Sequence, residues 1–244
     1  MEEILTGKIA VVTGGSAGIG YAIARRFASF GAKVILASRQ PQRLATAVQS
    51  IGDSAVAIPT DVSDTEQVQG LFEGLERVDI LVTCAGAAHF GAIDTVPVAQ
   101  AKSLFEGRFF GQLAAAHYAV PKMPPGSVII FCSGIAASVG LPYYSAGSAL
   151  CGAVNSMTRA LAVELAPRGI RVNAISPGFI EDTDIQSNLS KEQKENFAES
   201  TVAAKIPLKR AGKSDEVADA AFFLATCGYV TGQIIEVDGG WTAA

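Results

Sequence analysis

The chain has 244 residues, of which 49% are hydrophobic and 17% charged, with a net charge of −4 and no basic block. This balance suits one domain buried on both faces of a sheet, and it argues against nucleic acid or an anionic membrane as a partner. No run approaches the roughly 18 apolar residues of a membrane span, and Met1-Glu2-Glu3 lacks a leader's cationic start, so a soluble cytoplasmic protein is expected.

Short apolar, β-branched runs at 8–12, 33–37, 55–58, 80–83, 127–132, 170–176 and 234–237 read as strands. Between them, helical spacing predicts helices at 18–29, 41–49, 65–75, 98–120, 148–166 and 214–225, with a mobile helical pair within 185–204. Strict alternation predicts a single α/β domain over 1–244, a doubly wound Rossmann-type fold with a seven-stranded, mostly parallel sheet flanked by helices. The polar, charge-rich stretch at about 181–205 lies past a strand's carboxyl end and is the expected substrate lid. Cys84, Cys132, Cys151 and Cys227 show no metal-ligand spacing and read as reduced thiols, so no metal is expected.

Thr13-Gly14-Gly15-Ser16-Ala17-Gly18-Ile19-Gly20 follows the first strand and opens the first helix. In that context glycines serve a tight turn, close backbone approach to a pyrophosphate, and helix–sheet packing. At the end of the second strand an acid would hydrogen-bond a ribose hydroxyl and repel a 2′-phosphate. The chain instead reads Ala37-Ser38-Arg39, a hydroxyl and a guanidinium, which favours NADP(H) over NAD(H). The alternative reading of Arg39 is a solvated loop charge.

The spelling Thr-Gly-x-x-x-Gly-x-Gly resembles the short-chain dehydrogenase/reductase family, and the resemblance runs nearly end to end. It continues through Asp61-Val62, Ala85-Gly86, Arg171-Val172-Asn173-Ala174-Ile175-Ser176-Pro177-Gly178, Arg210-x-Gly212, Val230-Thr231-Gly232 and Val237-Asp238-Gly239-Gly240. It implies an adenine contact at Asp61 and Val62, and further cofactor contacts at Ala85, Gly86, Pro177, Gly178 and Ile180. It also implies a homotetramer or homodimer built through the two long helices and the last strand, with a small-molecule substrate.

In that family a tyrosine exchanges the substrate proton, and a lysine one turn later holds the nicotinamide ribose and depresses the tyrosine pKa. A serine orients the carbonyl and an asparagine anchors a relay water. Counting from Pro177-Gly178 places the lysine position at Cys151, the tyrosine at Gly147 and the serine at Gly134. The tetrad matching Asn-x-x-Gly is Arg108-Phe109-Phe110-Gly111. All four positions are changed, and neither Tyr143 nor Tyr144 is followed by a lysine four residues on. A lost proton-transfer group is worth roughly 10²–10⁴ in rate, so another group is needed for ordinary ketone reduction.

Three residues are candidates. Tyr144 can reach the space left by the missing phenol, or merely pack at the site rim. Arg108 can project into the absent lysine's cavity as a binding or electrostatic group, or pair with an acid on a neighbouring helix; a guanidinium stays charged and shuttles protons poorly. His89, on the loop after Gly86, has a suitable native pKa, or is a surface histidine. Cys151 reads as a nucleophile or a small buried apolar residue. Cys84 and Cys132 read as packing residues near the site, Ser133 as pointing away, Ser138 and Thr183 as pocket borders, and His117 as an interface residue without catalytic work. Asp182 takes the usual place of the family's threonine, which unsettles the Thr183 contact. Three functions remain open: an NADP(H)-dependent oxidoreductase with a non-standard acid/base site acting on a carbonyl or hydroxyl group, a non-redox cyclase, isomerase or lyase, and an inactive NADP(H)-binding sensor or partner subunit.

Overall fold

In the computed structural model, which describes residues 4–183, 202 and 204–244, the seven apolar runs become strands β1 (Ile9–Thr13), β2 (Lys33–Ser38), β3 (Ala55–Pro59), β4 (Ile80–Thr83), β5 (Val128–Cys132), β6 (Arg171–Pro177) and β7 (Ile234–Val237). They form one sheet in the order β3-β2-β1-β4-β5-β6-β7, and every pairing is parallel. Continuous rather than alternating apolar runs are what such a sheet demands, because both faces are covered. All of β4 is buried.

The helices are α1 (Gly18–Ser29), α2 (Pro41–Ile51), α3 (Thr65–Glu73), α4 (Val98–Phe105), α5 (Gly111–Ala119), α6 (Ser145–Leu165) and α7 (Ser214–Thr226). Successive strand residues point to opposite faces, which splits the core in two. Val11, Ile129, Phe131 and Ala174 pack with Leu71 of α3, Ala115 of α5 and Leu150 of α6. Val12, Ile130 and Ile175 pack with Ile23 of α1 and Val217 of α7. At the amino edge, buried Asp79 accepts from the Ile9 amide and from Lys8 and Arg77, tying β1 to β4. Burial pushes its carboxyl up, but Arg77, the amide and Lys8 outweigh this and hold it below the ordinary value.

Two helix readings need correction. The single helix expected over 98–120 is three pieces, because a π turn at Glu106–Phe110 separates α4 from α5. The helix expected from 148 starts a turn earlier, at Ser145, so that Tyr144 is its N-cap residue and Gly147 lies inside it. Of the expected lid, residues 184–201 and 203 fall outside the described residues. On its flanks Ile180 bridges to Gly212.

Candidate active site at the carboxyl edge

The direction of winding reverses between β1 and β4, and there the loops after the two strands meet. β1 ends at Thr13, and Gly14 turns with φ +71°; a Cβ on it would lie 2.7 Å from the Ala85 nitrogen. The turn is held by the Gly14 amide on the Ala37 carbonyl (2.8 Å) and the Cys84 amide on that of Thr13 (3.0 Å). Gly18 opens α1 with φ +51°, and a Cβ on Gly20 would come within 2.4 Å of the Gly14 carbonyl oxygen. Ile19 packs against the core beside them. The start of α1 has neither a side-chain cap nor an acid in its first turn. Its amides and the positive end of its dipole therefore face the open edge, the donor set a pyrophosphate requires.

At the neighbouring strand end, Ser16 and Ser38 share a 2.8 Å hydrogen bond between their hydroxyls, and Arg39 follows, exposed. Asp61 accepts from the Ser63 amide and hydroxyl at 3.0 and 2.7 Å. The Val62 carbonyl lies where only a glycine fits at 111, 2.7 Å from an added Cβ. Past β6 the Gly178 amide donates to Val237 at 3.0 Å, and Ile180 is buried. Thr183 lies against Gly18, 3.5 Å from where a Cβ would sit. Asp182 caps α7 through the Ser214 amide and hydroxyl, both at 2.9 Å. All the expected cofactor residues thus lie at or just past the carboxyl ends of β1, β2, β3, β4 and β6.

Beside this cradle, Arg108 rises from the π turn and is 9% exposed. Its aliphatic stem crosses Gly86, where an added Cβ would be 2.2 Å from Arg108 Cγ. Nη1 donates to the Tyr144 Oη at 3.0 Å, and Nη2 makes a long 3.5 Å contact with the Ser133 carbonyl. Among the described residues, no acid pairs with Arg108. The alternative of a salt bridge to a neighbouring helix is therefore overturned for these residues. Burial opposes its charge, but the Tyr144 phenol and the nearby cysteines outweigh that.

Tyr144 follows Tyr143, whose φ of +63° places it in the left-handed region. Its ring stacks on Phe90 with centroids 4.5 Å apart. The same ring occupies the space of a side chain at 147: a Cβ on Gly147 would lie 2.1 Å from Tyr144 Cζ. At 5% exposure Tyr144 is enclosed, and rim packing does not describe it. Burial pushes its phenol up, while Arg108 pulls it down. The pair is a hydroxyl donor and a fixed positive charge, the two groups that proton transfer to a carbonyl oxygen needs.

The remaining candidates separate. His89 is half-buried and hydrogen-bonds to neither Arg108 nor Tyr144. Cys151 is buried, its thiol pushed up by that burial and packed 3.3 Å from an added Cβ on Gly134, which corrects the nucleophile reading. Ser133 turns its hydroxyl onto the Cys151 carbonyl at 3.1 Å, away from Tyr144. The Cys84 and Cys132 thiols influence each other, which pushes the first up and draws the second down, with the charge of Arg108 aiding the latter, and the Cys132 thiol donates to the Ser133 carbonyl at 3.9 Å. Ser138 faces Glu236, and His117 is exposed against Tyr118. Sequence reasoning missed Phe90, and also Gln112, a buried residue that accepts from Thr83 at 2.7 Å and donates to the Cys132 carbonyl at 3.1 Å. Gln112 locks the β4 and β5 ends together; its only signal was its place beside Gly111.

A parallel doubly wound sheet with a glycine turn at the switch point and a donor pair beside it defines a nucleotide-binding α/β protein. A family described as enoyl-(acyl carrier protein) reductase matches residues 14–242. An uncharacterized oxidoreductase of Methylorubrum extorquens is 36% identical, over 97% of this chain and 98% of its own. A galactitol 2-dehydrogenase (L-tagatose-forming) of Cereibacter sphaeroides is 37% identical, over 98% and 96%. A solved structure described as a short chain dehydrogenase/reductase family protein superposes with a TM-score of 0.87 at 34% identity, covering 100% of both chains. The chain belongs to the short-chain dehydrogenase/reductase family, whose members are nicotinamide-dependent oxidoreductases of alcohols and carbonyls.

Proposed function

We propose that the protein is an NADP(H)-dependent oxidoreductase in which Tyr144, supported by Arg108, performs the acid/base work that Gly147 and Cys151 cannot. The observation that carries this reading is the Tyr144 ring in the space of a residue-147 side chain, with its hydroxyl 3.0 Å from Arg108 Nη1.

The residues of the cradle fit a dinucleotide: a Gly14 turn without room for a Cβ, an uncapped α1 amino terminus, and hydroxyl and guanidinium groups at the β2 end. Ser16, Ser38 and Arg39 would hold a 2′-phosphate, and no carboxylate at Ser38-Arg39 would repel it. The cofactor, when bound, supplies or receives a hydride at the substrate carbon. Tyr144 gives its hydroxyl proton to the carbonyl oxygen in reduction and recovers it from the alcohol in oxidation. Arg108 keeps its own proton, stabilises the phenolate left behind and fixes the hydroxyl's direction. Phe90 holds the ring flat and excludes water on one side.

Titrating the protein with NADPH and then NADH while following nicotinamide fluorescence tests the cofactor half. We expect tighter binding of NADPH, and consumption of NADPH with at least one member of a panel of aldehydes and ketones. Product formation without net cofactor oxidation would instead favour the non-redox alternative, and binding without any turnover would favour the sensor.

A further inference from the structure

Arg108 is a buried guanidinium with unspent donors. Of its five N–H groups, one meets a phenol and one a carbonyl at 3.5 Å. Several other arginines of the fold are better served. Arg77 meets Asp79, Arg210 meets Glu216 and Arg25 meets Asp215. Arg171, half-buried and without an acid, is satisfied by the carbonyls of Leu224, Ala225 and Val230 at 2.6 to 3.1 Å. A buried cation short of both anion and acceptors is strongly unfavourable, so a fold retains it where a ligand completes it.

We infer that Arg108 is a substrate-recognition residue, and that the substrates of this site are oxo or hydroxy acids carrying a carboxylate close to the reacting carbon. This rests on the reading of Tyr144 as the proton donor. A guanidinium's parallel N–H groups match the two oxygens of a carboxylate, and Nη1 lies 3.0 Å from the hydroxyl that would serve the carbonyl. Donors that close suit oxygens on adjacent or next-adjacent carbons of one short chain. Gly86 is what permits the placement, since any side chain there would displace the stem of Arg108.

The test compares acetoacetate with methyl acetoacetate, which present the same ketone with and without the charge. Binding is followed by calorimetry in the presence of NADP⁺, and turnover by NADPH consumption. The acid should bind roughly 10–100-fold more tightly than the ester, the span of a charged hydrogen bond. Arg108→Gln should bring that ratio near one by weakening the acid far more than the ester, and Arg108→Lys should restore part of it. Equal binding of acid and ester, no heat with either, or a ratio that survives Arg108→Gln overturns the inference. Acid binding that depends on Arg108 without turnover keeps the anion site and removes the reductase reading, so the two failures are distinguishable.

Discussion

Gly147 is a place where a side chain is excluded. A Cβ there would overlap the Tyr144 ring, at 2.1 to 2.5 Å from three of its carbons, so the small residue and the inserted tyrosine are two halves of one arrangement. Gly147→Ala should expel the ring from its stack on Phe90 and destabilise the protein by about 1–3 kcal/mol, as overpacking does. Loss of Tyr144-dependent turnover reads the first effect, and urea unfolding measures the second. It follows that a Gly147→Tyr/Cys151→Lys pair alone will not recreate the usual family site; Tyr144 must be shortened as well. Counting from Pro177-Gly178 assigns the four family positions to Arg108, Gly134, Gly147 and Cys151, and the closeness of Gly147 to the Tyr144 ring accords with that assignment. Where Tyr144 turns was not legible in the sequence. It depends on the +63° φ of Tyr143 and on Phe90, more than fifty residues earlier, and neither leaves a local pattern.

Strand and helix positions were legible nearly throughout, because fully apolar β-branched runs and amphipathic spacing are strong local signals. The π turn at Glu106–Phe110 was not, since the residues on either side continue a helical pattern. Its wider turn matters to the site: π turns recur where a side chain must leave the α-helical register, and this one carries Arg108 while Gly111 closes on Val62. The glycine turn makes a sharper prediction. In Gly20→Ala the new Cβ would meet the Gly14 carbonyl at 2.4 Å and Cys84 Cβ at 3.2 Å, forcing α1 away from β1. NADPH affinity should fall by about tenfold or more as the amides at the head of α1 move off the pyrophosphate. Fluorescence titration reads this directly, and a circular dichroism melt checks that the fold persists.

Across the whole molecule, the two edges of the sheet divide the work. The amino edge carries Asp79 and its partners, which bind strands together; the carboxyl edge carries every group assigned to cofactor or chemistry. That division, and the parallel order of the strands, were implied by the alternation of elements and by the glycine fingerprint. The chemistry was harder to read because its groups, Tyr144, Arg108 and Phe90, come from three separate segments that only the fold unites. The pH dependence of single-turnover NADPH oxidation, compared between the parent and Tyr144→Phe, tests the central claim most directly. If the protonated Tyr144 phenol is the donor in reduction, as proposed, the rate should hold through neutral pH and fall only as the phenol ionises. Burial, partly offset by Arg108, moves that fall above the ordinary tyrosine range. Tyr144→Phe should lose roughly 10²–10⁴ of the neutral rate and the alkaline fall with it, while binding NADPH as before. A phenylalanine variant that turns over at the parent's rate, with the same pH profile, would contradict the account.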